Sequence, residues 1–225
     1  DADRWVVHAD LDAFFAAAVQ AGYPRTDDVN GYRQEGFARF DRNICRGRRH
    51  SAARAYLHPV MHRPNLTVRT LALVKRIVFE GQRAVGVECI QYKGVPATIS
   101  AGEVILCGGA INTPQLLQLS GVGPANVLQP LGVPMVADLP GVGANLQDHL
   151  EVYVQYACRE PVAVNPHIGW LRKLGVGAQW LFLRSGIGAT NHFEGGGFCR
   201  SNDCWKDTNL MFHFLRMAIR YDGTA

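Results

Sequence analysis

Residues 104–123, VILCGGAINTPQLLQLSGVG, join a short apolar run to a helix-like pattern through two glycines. Glycines after a strand permit positive φ and let another group approach the main chain. Thr113 and Pro114 suit the N-cap and first position of a helix. A helix start carries free backbone N–H groups and partial positive charge, which suit an anion such as phosphate. A plain tight strand-to-helix turn explains the same residues equally well. The spacing is not that of the G-x-G-x-x-G dinucleotide loop, so a general nucleotide-binding module is disfavoured.

Few other side chains suggest chemistry by type and spacing. Asp148 and His149 are neighbours, and neighbours on an extended chain point to opposite faces, which disfavours a dyad. His213 alternates with Phe212 and Phe214 in LMFHFL, so it projects from the sheet face they avoid. By residue type alone, His213 reads as a packed or surface histidine, Glu151 as a solvent-facing residue opening a strand, and Val74 as an ordinary strand valine. His192 and Glu194 in TNHFEGGG receive no role. The six cysteines form no C-x-x-C pair and no His/Cys cluster at metal spacing, so no metal is expected. They suggest a reducing compartment.

The chain has 225 residues, enough for one large domain or two modest ones. With 48% hydrophobic and 19% charged residues it is a packed chain and not a disordered one. The net charge of +4 is spread out. Its densest basic run, Arg46-Gly47-Arg48-Arg49, is too short to argue nucleic-acid binding and reads as a solvated loop. No apolar run approaches the about 18 residues of a membrane span.

Several elements must position these groups. Val7, Leu11, Phe14, Phe15 and Ala18 recur at helical spacing, with Asp10 as N-cap and Gly22 and Pro24 as the stop. A second helix opens at Ser51 and is kinked or ended by Pro59. Residues 66–100 are rich in Val, Ile and Thr and predict a three-stranded antiparallel meander turning at Gly81 and Gly94. Residues 103–106 predict a strand running into the glycines. Two long loops follow the helix at 114–119, then a strand in VYVQYACRE, a helix in IGWLRKLGVGAQWLF and a short strand in LMFHFLR.

The segment GGAINTPQLLQLSGVG resembles the second signature of the glucose-methanol-choline (GMC) flavin oxidoreductases. QAGYPRTDDVNGYRQEGF, RRHSAARAYLHP, RAVGVE, LPGVGANLQDHLE and GATNHFEGGGF are similar to the choline-oxidising branch of that family, and the similarity covers essentially the whole chain. The resemblance implies an α/β (mixed α+β) fold. Residues 1–150 would be the central part of a Rossmann-like FAD-binding domain carrying a β-meander. Residues 151–225 would begin an antiparallel-sheet substrate-binding domain.

It also implies roles. Val74, Gly108, Gly109 and Ala110 would contact FAD, Glu151 and Trp170 would bind substrate, and His213 would hydrogen-bond the substrate oxygen. Glu151 matters because a quaternary ammonium needs a carboxylate or an aromatic face. The expected reaction takes choline to betaine aldehyde, towards glycine betaine, with hydride passing to the flavin. The phosphate loop would precede Asp1 and the catalytic histidine would follow Ala225, so this stretch alone is expected to be inactive. A membrane respiratory-chain electron acceptor is implied, with inner-membrane association in mitochondria or bacteria. No nucleic-acid partner is expected. The alternatives are another GMC alcohol dehydrogenase or oxidase, or a non-catalytic flavoprotein fragment. Cys45, Arg216 and Cys199 depart from the family's expected residue types.

Overall fold

A computed structural model describes residues 2–155, 163–164 and 169–217, with side-chain environments from residue 11 onward. In chain order the elements are α1 (Ala2–Gln20), β1 (Gly36–Arg39), β2 (Ile44–Cys45), β3 (Arg48–Arg49), β4 (Leu73–Glu80), β5 (Arg83–Ile90), β6 (Pro96–Ser100), α2 (Gly109–Leu119), β7 (Val122–Gly123), α3 (Ala125–Leu128), β8 (Ala137–Asp138), α4 (Trp170–Leu183), β9 (Gly195–Cys199) and β10 (Leu210–Phe214). Helices combine with mainly antiparallel sheets, as expected for the mixed class. The chain forms two compact units, Asp1–His62 with Tyr153–Ala225, and Arg63–Val152. The first 62 residues group with the C-terminal segment, because β1 finds its hydrogen-bond partners on β9.

In the first unit Leu11, Phe15 and Ala18 are buried along one stripe of α1, as their spacing requires. Phe37 completes this core, and Phe14 and Phe214 pack against it. Burying each large side chain contributes roughly 1.5–3 kcal/mol. The helix ends where the N–H of Gly22 reaches the carbonyl of Val19 and that of Tyr23 reaches Ala18, a Schellman close. Asp10 lies inside the helix and is not its cap, since the helix begins eight residues earlier.

The stripe rests on an antiparallel sheet of order β1-β9-β10. The central strand opens with three glycines, and the absent side chains have a packing reason. A Cβ on Gly197 would lie 2.6 Å from the Phe37 ring, and one on Gly195 would lie 2.7 Å from Leu11. On the opposite face a Cβ on Gly196 would run into the carbonyl of Phe212 and the Phe40 ring. Three glycines thus let rings lie directly on both faces of one strand.

The second unit contains the meander. β4 pairs with β5 and β5 with β6, all antiparallel, and Arg76 Nε meets Glu88 Oε2 at 2.7 Å across the first pair. Helix α2 packs on β4 through Ser120, whose hydroxyl donates to the Leu116 carbonyl at 2.6 Å and accepts the Ile77 N–H at 2.8 Å.

Several expectations change. Residues 103–107 join no ladder among the described residues, and Ile105 is 76% exposed; a strand needs a hydrogen-bonding neighbour and this segment has none there. Helix α2 starts at Gly109 instead of Thr113, with Pro114 inside it. The Thr113 hydroxyl does not cap a later start, because it reaches back to accept the Gly108 N–H at 3.0 Å, and Gly109 takes the left-handed φ +82° of the turn. The two expected loops after α2 contain α3 and the short parallel pair β7–β8. Residues 51–60 form two short helical turns, Ala53–Leu57 and His58–Val60, with Pro59 in the second. Of the strand expected after Glu151, residues 152–155 join no ladder among the described residues and 156–160 lie outside them.

Ser120 generates a stability prediction. Ser120→Ala in the full-length protein removes the acceptor of a buried strand amide and is expected to cost about 1–3 kcal/mol. A chemical-denaturation midpoint checks it; an unchanged midpoint would mean that water replaces the hydroxyl.

Candidate functional site

In the Arg63–Val152 unit the glycine turn opens onto a cleft of ≈ 530 Å³. Ala110, Ile111, Thr113 and Pro114 line one wall, and residues 141–147 line the other. The walls are tied where Gln118 Nε2 donates to the Val142 carbonyl at 2.9 Å. At Gly109 a side chain would meet open space, although φ +82° strains any other residue. The turn is therefore accessible, and the first-turn amides of α2 have no intrahelical acceptors. Val74 lies on β4, paired with Cys89 and 37% exposed. It belongs to the strand against which α2 packs.

Beyond the cleft wall the chain runs through Asp148, His149 and Glu151, all exposed. Asp148 Oδ1 accepts the backbone N–H of His149 at 2.8 Å. The carboxylate is thus turned to its neighbour's main chain and not to the imidazole.

His213 and Trp170 belong to the other unit. His213 sits on β10 opposite Gly196. Its ring stands edge-on to Phe40, with centroids 5.6 Å apart, and to Phe193 at 5.4 Å. Phe212 and Phe214 turn to the helix-covered face, against Phe37 and Phe14, so the alternation expected from LMFHFL holds. The imidazole is exposed between two phenyl rings that limit its swing. Trp170 opens α4 and is 73% exposed.

A polar cluster behind Phe193 has no assigned role in the sequence reading. Arg42 Nη1 donates to Thr190 Oγ1 at 2.8 Å and to Glu194 Oε1 at 3.0 Å. The Thr190 hydroxyl donates to the same oxygen at 2.8 Å and accepts the His192 N–H at 3.2 Å. Arg216 reaches the other carboxylate oxygen at 3.7 Å. Glu194 is nearly enclosed, and a buried carboxylate needs such partners. Arg216, out of pattern in the sequence, is thus a counter-charge. The signal was present: one carboxylate in a glycine-rich apolar stretch demands a cation somewhere else in the chain.

His192 adopts φ +67° and its Nδ1 is buried without a hydrogen-bond partner. Burial holds its pKa below the ordinary value; Glu194 opposes this and Arg216 adds to it. Cys199, fully buried on β9, has its thiol pKa pushed up by burial, with the Tyr23 hydrogen bond opposing. It fills core space and is no nucleophile.

The His192 shift has a sign that can be tested. A depressed histidine pKa means the folded state binds fewer protons than the unfolded chain below the ordinary pKa. Stability is full above about pH 6.5 and falls as the pH drops through the range below it. Asparagine tolerates the same backbone region. His192→Asn is therefore expected to flatten the decline of unfolding midpoint between about pH 7 and pH 5. Parallel wild-type and variant curves would show that His192 does not titrate on unfolding.

Residues 5–151 match the family model described as GMC oxidoreductase. The chain is 57% identical over 212 residues to an oxygen-dependent choline dehydrogenase of Staphylococcus saprophyticus, covering 94% of this chain and 38% of that protein. It therefore spans well under half the length of the curated relatives it matches. Among solved structures it is similar to an FAD-dependent oxidoreductase from Chaetomium thermophilum. That match has 28% identity and a TM-score of 0.66, covering 83% of this chain and 34% of the other. It is also similar to a formate oxidase from Aspergillus oryzae, at 25% identity and a TM-score of 0.72, covering 87% and 33%.

Proposed function

The chain belongs to the GMC oxidoreductase family, and from that premise we propose that its full-length protein is an FAD-dependent choline dehydrogenase producing betaine aldehyde. The observation that carries this reading is the 57% identity, over 94% of the chain, to a protein named for that activity. The neighbour from Chaetomium thermophilum is named as FAD-dependent, and the open glycine turn fits such a group. Gly108, Gly109 and Ala110 would border the cofactor at the helix start, with Val74 contributing from β4. When bound, the flavin supplies a hydride acceptor.

The chain's own residues would do the rest. His213, restrained by Phe40 and Phe193, donates a hydrogen bond to the substrate oxygen and stabilises charge developing there. Glu151 would hold the quaternary ammonium by Coulomb attraction, and Trp170 would offer substrate an aromatic face. Fixing the cation orients the α-carbon for reaction. On this reading the chain would pass from cofactor-contacting to substrate-contacting residues near residue 150. The product lies on the way to glycine betaine, and electrons would pass to a membrane respiratory-chain acceptor.

The choline dehydrogenases it matches at 57% identity are from Staphylococcus, which favours a bacterial membrane association over a mitochondrial one. Among the described residues no helix is long and apolar enough to cross a membrane, so association would be peripheral or through other segments. Dye-coupled turnover compared with turnover on oxygen alone tests the acceptor; full activity on oxygen alone would remove the need for a membrane partner.

Glu151→Gln in the full-length enzyme tests the substrate reading. Losing the charge contact is expected to raise the choline KM roughly 10- to 100-fold. The uncharged isostere 3,3-dimethylbutan-1-ol should be oxidised as before. An unchanged KM for choline, or equal losses on both substrates, would remove Glu151 as the ammonium contact. Absence of choline oxidation by the wild-type enzyme would defeat the choline reading itself and favour another alcohol substrate.

A further inference from the structure

We propose that a cleft in the first unit, between the β2–β3 hairpin, the turns at residues 53–60 and the end of α4, binds a small polyanion of the di- or triphosphate class. The cleft measures ≈ 540 Å³ and is lined by Arg46, Arg48, Arg54, Arg184, His50 and His58, together with Cys45. Its lining holds four guanidinium groups and no carboxylate. Such like charges repel one another unless a counter-charge enters.

The contrast within the same unit is informative. Arg39 pairs with Asp12 at 3.5 Å, Arg42 with Glu194 at 3.0 Å and Arg200 with Glu35 at 3.1 Å. None of the four cleft arginines has a carboxylate partner among the described residues. Arg184 adds a second observation. Its guanidinium stacks on Trp180 at 4.2 Å, and its Nη1 is shut off from water without any hydrogen-bond partner. A charged donor is costly to leave in that state, and it adds uncompensated positive charge behind the cleft wall.

The walls are also built to hold their shape. Trp180 Nε1 donates to the Gly47 carbonyl at 2.7 Å, locking the hairpin tip to α4. A side chain at Gly47 would run into the Arg184 carbonyl, so only glycine allows this approach. Arg46 and Arg184 both take left-handed backbones, at φ +51° and +52°. Such conformations persist where surrounding structure enforces them, and they recur at ligand clamps. The volume suits a metabolite-sized ligand, and rigid guanidinium forks match phosphate oxygens.

Isothermal titration of the full-length, FAD-loaded protein with inorganic pyrophosphate, at about 0.15 M salt to screen diffuse attraction, tests the proposal. One saturable site is expected, weakened at least roughly tenfold in Arg48→Gln/Arg54→Gln and unchanged in Arg49→Gln, which lies off the cleft. On the wild-type protein, pyrophosphate should protect cleft arginines from phenylglyoxal, a readout that needs no variant to fold. Absence of binding, or equal weakening by Arg49→Gln, overturns the proposal. So does binding seen only after FAD is stripped and reversed by FAD, which would make the cleft the cofactor's own diphosphate pocket. Cosedimentation with phosphatidylglycerol vesicles, without binding of free pyrophosphate, would assign the arginines to a lipid surface and also overturn it.

Discussion

The absence of side chains along Gly195–Gly197 is the constraint on which the first unit depends. A strand without Cβ atoms allows aromatic rings to rest on its backbone from both sides, Phe37 on one face and Phe40 on the other. Close packing of this kind tolerates no added carbon, because interiors have no spare volume. Two consequences follow. The strand becomes a bridge between β1 and β10, drawing residues near the start of the chain to residues beyond 200. It also sets His213 opposite Gly196, where the neighbouring Phe40 ring occupies the space a side chain would have taken.

Charge in the same unit is arranged by an equally physical rule. Glu194 can be enclosed because Arg42, Thr190 and Arg216 satisfy its two oxygens. That cluster anchors the segment carrying Phe193, whose ring bounds the His213 imidazole. The His213 ring is thus held in place, with an ion network standing behind one of its restraining walls. The arginines of the basic cleft show the opposite arrangement, with positive charge concentrated by the fold and no carboxylate beside it.

The second unit shows how one signature segment serves both packing and access. Ser120 spends its hydroxyl on the α2 terminus and the β4 edge, joining the helix to the meander. Gln118 ties the same helix to the loop that leads towards Glu151. Gly109, ten residues before α2 ends, leaves the opposite end of the helix open. The segment's polar residues hold the walls together while its glycines leave the cleft mouth unobstructed.

By itself the sequence determined what depends on local periodicity and residue type. The stripe Leu11, Phe14, Phe15 and Ala18 could form only one helical face, and the Val- and Ile-rich stretch after residue 70 formed the meander it predicts. The alternation of Phe212, His213 and Phe214 placed the histidine on the correct sheet face. The family, too, was legible, in the run from Gly108 to Gly123. Tertiary structure decided what requires partners distant in the chain. The helix expected at Thr113 begins at Gly109, with the Thr113 hydroxyl turned back to the Gly108 N–H instead of capping a later start. Residues 103–107 lack a ladder because strand identity depends on a neighbour. Arg216 reads as an intruder until Glu194 stands beside it, and the run from Arg46 to Arg49 reads as a solvated loop until Arg54 and Arg184 converge on it. Burial and counter-charge are properties of the folded neighbourhood, so no single stretch of sequence can state them.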